Sequence, residues 1–451
     1  MVNQFLLKLA AMRLLLGLLL PGIILVACAK SADVPFSYHP QPREITPLMV
    51  GCDTCKYPLV LVHGFLASGD TYTRFQQLFT SNGYQPNLIH TFDWNSLNAG
   101  ANNSAALDAF IDQVMLKTGA SQVRLLGHSA GGGLCYTYLS NAARAAKVDG
   151  YVHIGSGVQA APAGFNGTEP TLNVWSEDDE IVAGGDIPGA SNAKIPGKDH
   201  YQVATSTESF AAIYQFFHHQ PPPVLEIVPQ NIVCIAGKVL TFGENTPQSN
   251  ARVDIYPVDP ETGQRLQSTP FETWYSKNDG SWGPTNVLPN THYEFVVSTP
   301  GSGRIIHYFR EAFTHLNLEV YLRTIPPPPS LAGILLAGLP NAANQTVLNF
   351  FSSSQAVVNT RDVLTVDGAE LSTTQYASPA KTAISYFLYD DGDGQTALSP
   401  VGLFGGFSFL NGVDMFFPTA VSQPVRLVFN GRQLNVRKVP SNEGVVVAVF
   451  D

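Results

Sequence analysis

Charge is scarce in this chain. Lys, Arg, Asp and Glu make up 13% of its 451 residues, and the formal net charge is −10. Gripping a nucleic-acid backbone takes clustered Lys and Arg, so this balance excludes a basic face for that purpose. Cysteine is scarcer still, with five residues, and Cys52-Asp53-Thr54-Cys55 is a lone C-x-x-C. A metal site on that motif wants a second pair, which is missing. A thioredoxin-like redox role wants the motif at a helix start, whereas here it precedes a strand-like run. The amino-terminal apolar run, Leu14 to Val26, falls short of the roughly 20 residues that span a bilayer.

What is present begins with that run. Lys8 and Arg13 precede it, the order of a secretory signal. Leu25-Val26-Ala27-Cys28 resembles the lipobox of bacterial lipoproteins, in which the cysteine is acylated and becomes the new first residue. The expectation is a signal peptide over 1–28, a lipid anchor at Cys28 and an exported bacterial lipoprotein facing the periplasm or cell exterior. The alternative is a plain signal cleaved near Ala27 or Ala29. Residues 29–56 are polar and proline-containing, a tether between membrane and enzyme. In an exported chain Cys52 and Cys55 are expected to close a short disulfide rather than stay an open dithiol. Cys135 reads as a small buried residue, and Cys234 falls in a strand-like run.

The chain is organised around Gly127-His128-Ser129-Ala130-Gly131, where an apolar run ends and a small-residue helical pattern begins. A strand-to-helix turn this sharp leaves no room for side chains beside the serine, so glycine is wanted at 127 and 131. The helix it opens aims free backbone amides at the space above Ser129. Upstream, Tyr57 to Val62 is a buried-strand run that delivers His63-Gly64-Phe65 at its end. The amides of Phe65 and Ala130 are the expected oxyanion donors, with His63 fixing the loop. Leu107, Phe110, Ile111, Val114 and Met115 fall on one helical face, capped near Asn103 or Ser104 and stopped at Gly119. Strands alternating with such helices predict a mostly parallel sheet covered on both faces, with ligand sites at the strand carboxyl ends.

A serine of this kind needs an acid and then a histidine, in that chain order. Ser176-Glu177-Asp178-Asp179-Glu180 follows a predicted strand, and Asp179 is the chosen acid with Asp178 as runner-up. Of the later histidines, His200 lies in a loop just before a predicted helix, Thr207 to Phe217; His218 and His219 read as solvated tail residues. The expected mechanism is nucleophilic attack by Ser129 with His200 as base, oriented by Asp179; it requires no cofactor and no metal.

Residues 57–218 resemble the small, lidless α/β-hydrolase lipases of bacilli at Val62-His63-Gly64-Phe65, at the elbow, along Trp175 to Val182 and at His200. The longer arrangement resembles the Archaeoglobus-type lipase, whose carboxy-terminal β domain helps bind long acyl chains. In that group the acid is expected one strand earlier, where this chain has Gly155-Ser156-Gly157 and no carboxylate. About 14 residues separate Gly155 from the next strand, too few for a helical lid.

Beyond Gln220 the composition changes. Pro221-Pro222-Pro223 makes a hinge, and short apolar-alternating runs over 224–325 predict an antiparallel sandwich. Gly237-Lys238-Val239, Asn250 to Val253 and Asp279-Gly280-Ser281-Trp282 resemble transthyretin-like modules, which carry no chemistry. Pro326 to Pro329 opens a second β-rich segment, 330–451, with strands expected over 356–366, 383–389 and 425–436. Its stretches 331–339 and 401–417 are unusually apolar. They serve either as acyl-path lining near Ser129 or as ordinary core. Asp390-Asp391-Gly392-Asp393-Gly394 lacks the spacing and terminal glutamate of a calcium loop and reads as an acidic turn.

The sequence thus predicts an α/β-hydrolase domain over 57–220 followed by all-β domains, a serine hydrolase acting on carboxylic esters of lipids. The rivals are a polyester depolymerase, a short-chain esterase, and a binding lipoprotein with a degenerate hydrolase unit. The expected partners are an acyl ester and, through the anchor, a membrane.

Overall fold

The computed structural model describes residues 56–98, 102–300, 304–402 and 404–451. The signal segment, Cys28 and the Cys52/Cys55 pair lie outside them. Among the described residues no helix is long and apolar enough to cross a membrane.

The hydrolase unit is built on six strands: β1 (Leu59–Val62), β2 (Ile89–Phe92), β3 (Val123–His128), β4 (Val148–Ile154), β5 (Thr171–Trp175) and β6 (Ser191–Lys194). All pair in parallel, in the order β2-β1-β3-β4-β5-β6. The sheet's two faces alternate as the pleat requires. Leu59, Leu61, Leu126 and Val152 pack under the helices Thr73–Ser81 and Thr207–His218. Val60, Val62, Leu125 and Tyr151 pack under Asn103–Thr118 and Ala130–Leu139. The first of the latter pair is capped by Asn102, whose Oδ1 accepts from Ala105 N at 3.2 Å, and ends at Gly119 with φ +73°. β6 carries no apolar alternation and was not predicted. It is an exposed edge strand, held by Asn173 Nδ2 donating to Asn192 Oδ1 at 2.9 Å.

One sequence expectation needs correction here. His218 is buried rather than solvated: its Nε2 lies 2.8 Å from Tyr84 Oη, and the last turn of its helix packs over Arg124, whose guanidinium donates to Phe217 O at 2.6 Å. Burial and the neighbouring Arg124 push its imidazole down to about 4. Cys234 falls in β-strand structure, as expected, and is disulfide-bonded, while Cys135 is a buried free thiol.

Past residue 220 the strands are β7 (Val233–Thr241), β8 (Arg252–Val258), β9 (Glu272–Tyr275), β10 (Ser281–Val287), β11 (His292–Ser298), β12 (Ile306–Arg310), β13 (Leu322–Thr324), β14 (Leu348–Ser352), β15 (Leu364–Val366), β16 (Ala369–Glu370), β17 (Ser385–Tyr389), β18 (Leu410–Asp414), β19 (Val425–Phe429), β20 (Arg432–Val436) and β21 (Val445–Phe450). They form sheets ordered β10-β7-β13, β18-β17-β14-β21-β12-β11-β8-β9 and β16-β15-β19-β20. The two β segments read as separate units therefore share the eight-stranded sheet: β12 pairs with β21 in parallel, Ile306 opposite Val445. Nor is the pairing purely antiparallel, since β7–β13, β14–β21 and β17–β18 are also parallel. Parallel neighbours need long crossover connections, which short-range turn signals do not reveal.

The β region is tied to the hydrolase unit by cationic side chains that reach largely buried carboxylates. Arg323 donates to both Asp70 oxygens at 2.5 and 2.7 Å, Lys238 meets Asp93 at 2.5 Å, and Arg361 meets Asp199 at 2.8 Å.

Candidate active site

Ser129 sits at the tip of β3 with φ +54° and ψ −124°, a backbone conformation that side-chain-bearing residues rarely adopt. The flanking glycines make it possible. A Cβ on Gly127 would lie 2.8 Å from Gly131 O and 2.9 Å from Cys135 Sγ, and one on Gly131 would run into the carbonyls of Val62 and His63. Ser156 Oγ braces the turn by donating to Ser129 O at 2.7 Å.

His200 and Asp179 face each other: His200 Nδ1 lies 2.7 Å from Asp179 Oδ2, both side chains being almost fully buried. With Nδ1–H directed at the carboxylate, Nε2 is left as the free nitrogen. Burial raises the Asp179 carboxyl, but the hydrogen bonds from His200 and from the amides of Val182 and Ile181 outweigh it, and it sits below its ordinary value. Asp178 turns the other way, accepting Gly197 N at 2.7 Å. The glycine that stands where the archaeal pattern wants a carboxylate leaves the space Asp179 uses: a Cβ on Gly155 would come within 3.4 Å of Asp179 Oδ2.

His128, placed by sequence only as part of the elbow, has a supporting contact. Its Nε2 lies 2.9 Å from His200 O, and the two rings meet at a tilt of 41° with their centroids 4.7 Å apart. Burial and the His200 ring push it down to about 3, so it is neutral and donates to that carbonyl. His63 braces the turn after β1, with Nδ1 2.8 Å from Gly64 O and Nε2 accepting from Trp94 N at 3.1 Å. The amides of Phe65 and Ala130 have no hydrogen-bond partner among the described residues; Phe65 lines the same space, and Ala130 directly follows Ser129, which also lines it.

That space is a cavity of about 190 Å³ which brings Gly64, Phe65, His128, Ser129 and His200 together, the last two without a direct hydrogen bond between their side chains. Half of its wall comes from the β region: Phe242, Arg323, Phe351, Ile384, Phe409 and Leu410. Ser408 to Leu410 belong to the apolar stretch 401–417, much of whose remainder, including Phe404, Met415 and Phe417, is buried core. The other stretch forms a short helix, Leu331–Leu336, and reaches a smaller adjoining cavity of about 60 Å³ through Leu336 and Leu339. The two cavities share Phe242, Arg323, Phe351 and Ser385. Sequence reasoning offered Ser408 to Leu410 within the stretch 401–417 as one of two alternatives and missed Phe242, Arg323, Phe351 and Ile384, since no local motif marks a strand residue as facing another domain.

Outside the cavity, Asp390, Asp391 and Asp414 gather within 4.8 Å of one another. Asp390 also accepts from the amides of Gly392 and Gly394, as an acidic turn does.

Residues 57–166 match the α/β-hydrolase-fold family model, residues 231–327 the lipase C-terminal domain model, and residues 350–451 a further C-terminal domain model. Among solved structures, a Bacillus licheniformis lipase is similar over 40% of this chain and 94% of its own, with 15% identity and a TM-score of 0.29. Aspergillus fumigatus lipase B is similar over 44% of this chain and 61% of its own, with 19% identity and a TM-score of 0.30. The esterase domain of a Rhodothermus marinus protein covers 37% and 89%, with 15% identity and a TM-score of 0.27. The chain carries an α/β-hydrolase-fold domain, followed by a lipase C-terminal domain and a further C-terminal domain.

Proposed function

We propose that the protein hydrolyses carboxylic esters of lipids through an acyl-enzyme on Ser129. The observation that carries the reading is the apolar cavity that holds Ser129 and His200 together, with Asp179 bonded behind His200 at 2.7 Å. Ser129 Oγ attacks the ester carbonyl while His200 Nε2 takes its proton, and Asp179 stabilises the imidazolium that results. The amides of Phe65 and Ala130 hold the oxyanion. Collapse of the tetrahedral species expels the alcohol, which takes its proton from His200, and water repeats the sequence on the acyl group. The phenyl and aliphatic wall from the β region suits an acyl chain of medium to long length, because each buried methylene stabilises by about 0.8 kcal/mol.

A series of nitrophenyl esters from acetate upward, run on wild type and on Ser129→Ala, tests this. Activity rising with chain length and lost by roughly 10⁴-fold in the variant is expected. A Ser129→Ala protein as active as wild type would overturn it. We also propose that Cys28 is acylated and anchors the enzyme to a membrane, on the strength of the Leu25-Val26-Ala27-Cys28 sequence. Mass spectrometry of the mature amino terminus decides that point, and any unmodified first residue other than Cys28 would sink it.

A further inference from the structure

The peptide between Gly64 and Phe65 is trans. In a trans peptide the carbonyl and the N–H point in opposite directions, so whatever holds Gly64 O also aims Phe65 N–H. Gly64 O is held by His63, at 2.8 Å from Nδ1. His63 is fully buried, and that burial lowers its pKa, so the ring is neutral. With its proton on Nδ1, its Nε2 is an acceptor, used by Trp94 N. The aim of the oxyanion donor therefore depends on what fixes this ring and the turn around it.

The β region reaches that point with one side chain. Asn245 follows β7, four residues beyond Thr241, and is 5% exposed. Its Nδ2 lies 3.2 Å from His63 Nε2 and donates to Ala67 O at 2.7 Å and to Trp94 O at 3.1 Å. Ala67 closes the oxyanion turn through its own amide, which donates to Gly64 O at 3.4 Å. A single amide group thus spans the His63 ring, the far end of the turn and the Trp94 backbone. The residue type fits the place: its φ is +55°, which Asn tolerates, and only an amide or a cation could donate two hydrogens there.

We propose that Asn245 is a positioning residue for the oxyanion hole, through which the lipase C-terminal domain acts on the chemical step and not only on acyl binding. The inference rests on the reading of Phe65 N–H as an oxyanion donor. Loss of one such donor lowers kcat by 10²–10³-fold in other enzymes, and a misaimed donor should cost part of that.

The test is Asn245→Gly in the full chain, which removes the amide and keeps the left-handed backbone without strain. Kinetics are measured on nitrophenyl acetate and nitrophenyl laurate, with active sites counted by phosphonate titration. The expected result is a kcat lowered about 10- to 100-fold on both esters with KM within about twofold, and affinity for a boronic acid weakened in parallel. Asn245→Ser, which keeps one donor, carries the same test if the glycine variant is unstable, with an intermediate kcat expected. Wild-type activity that disappears in Ser129→Ala is the control that separates the two readings. With that control in place, an unchanged kcat, or a loss confined to KM or to the laurate, overturns the role of Asn245 alone.

Discussion

Asp178 and Asp179 are neighbours on one loop, and the peptide between them sends their carboxylates to different tasks. Asp179 meets His200; Asp178 closes the loop onto Gly197 at its exposed rim. Asp179→Asn should therefore lower kcat by about 10⁴-fold, because an amide there favours the wrong tautomer of His200, while Asp178→Asn should leave kcat within about threefold. Steady-state kinetics on the two purified variants separate them, and the opposite ranking would remove Asp179 from the mechanism. Sequence order and loop position singled out Ser129, Asp179 and His200, and the structure pairs Asp179 with His200 and sets Ser129 on the same cavity as His200; each carries a local signal: glycines around the serine, an acidic loop after a strand, a histidine before a helix. His218 was misread because its surroundings are set at long range. Nothing near residue 218 in sequence announces that Arg124 and Tyr84 will enclose it.

At the scale of elements, the strip joining β13 to the hydrolase unit holds an unusual carboxyl. Glu319 is buried, with Gln76 Nε2 at 3.4 Å and Thr91 Oγ1 at 3.3 Å. Burial pushes it up and Asp93 adds to the shift, while Lys238 opposes it; the result is about 8. The folded state thus holds a proton there that the unfolded chain releases near pH 4.5. The sign follows directly: the contribution to stability is complete below that pH and is lost as pH rises through about 8. Glu319→Gln mimics the protonated form. Its Tm relative to wild type, followed by circular dichroism, should be nearly level around pH 5, climb as pH rises to about 8 and level off beyond. A difference constant across that range would mean that Glu319 titrates normally. Leu316, Leu318, Val320 and Leu322 alternate as in a strand, but the continuous pairing is confined to Leu322–Thr324, with a single bridge from Asn317 to Ile235 ahead of it. Leu318 N and Glu319 are engaged instead with Gln76 and Thr91 of the first domain, contacts that periodicity cannot register.

For the whole molecule the question is whether the β region is an accessory or part of the enzyme. The parallel sheet of the hydrolase unit and the existence of two β segments were legible, since both rest on local alternation and turn residues. Their union through β12 and β21 was not, because it depends on pairing between residues more than a hundred positions apart, and of their closure over Ser129 only the stretch 401–417 was offered, as one of two alternatives. An accessory that only lengthened the acyl wall could be removed with acetyl esters spared. The contacts argue otherwise. Asp199, next to His200, is held by Arg361 at 2.8 Å and by Ala356 N at 3.2 Å, and the His63 turn is held by Asn245. Truncation after Gln220 should therefore abolish hydrolysis of acetate and laurate esters alike and lower Tm, by exposing Asp70 and Asp93 without their cations. Phe351→Ala, which widens the passage shared by the two cavities while leaving these ties in place, should act on chain length alone. Its kcat/KM for acetate should stay within about threefold of wild type while the optimum moves to longer esters, since added room is filled at about 0.8 kcal/mol per methylene. An unchanged chain-length profile in Phe351→Ala would place the acyl chain elsewhere. An acetate-active fragment 1–220 would make the β region an accessory after all.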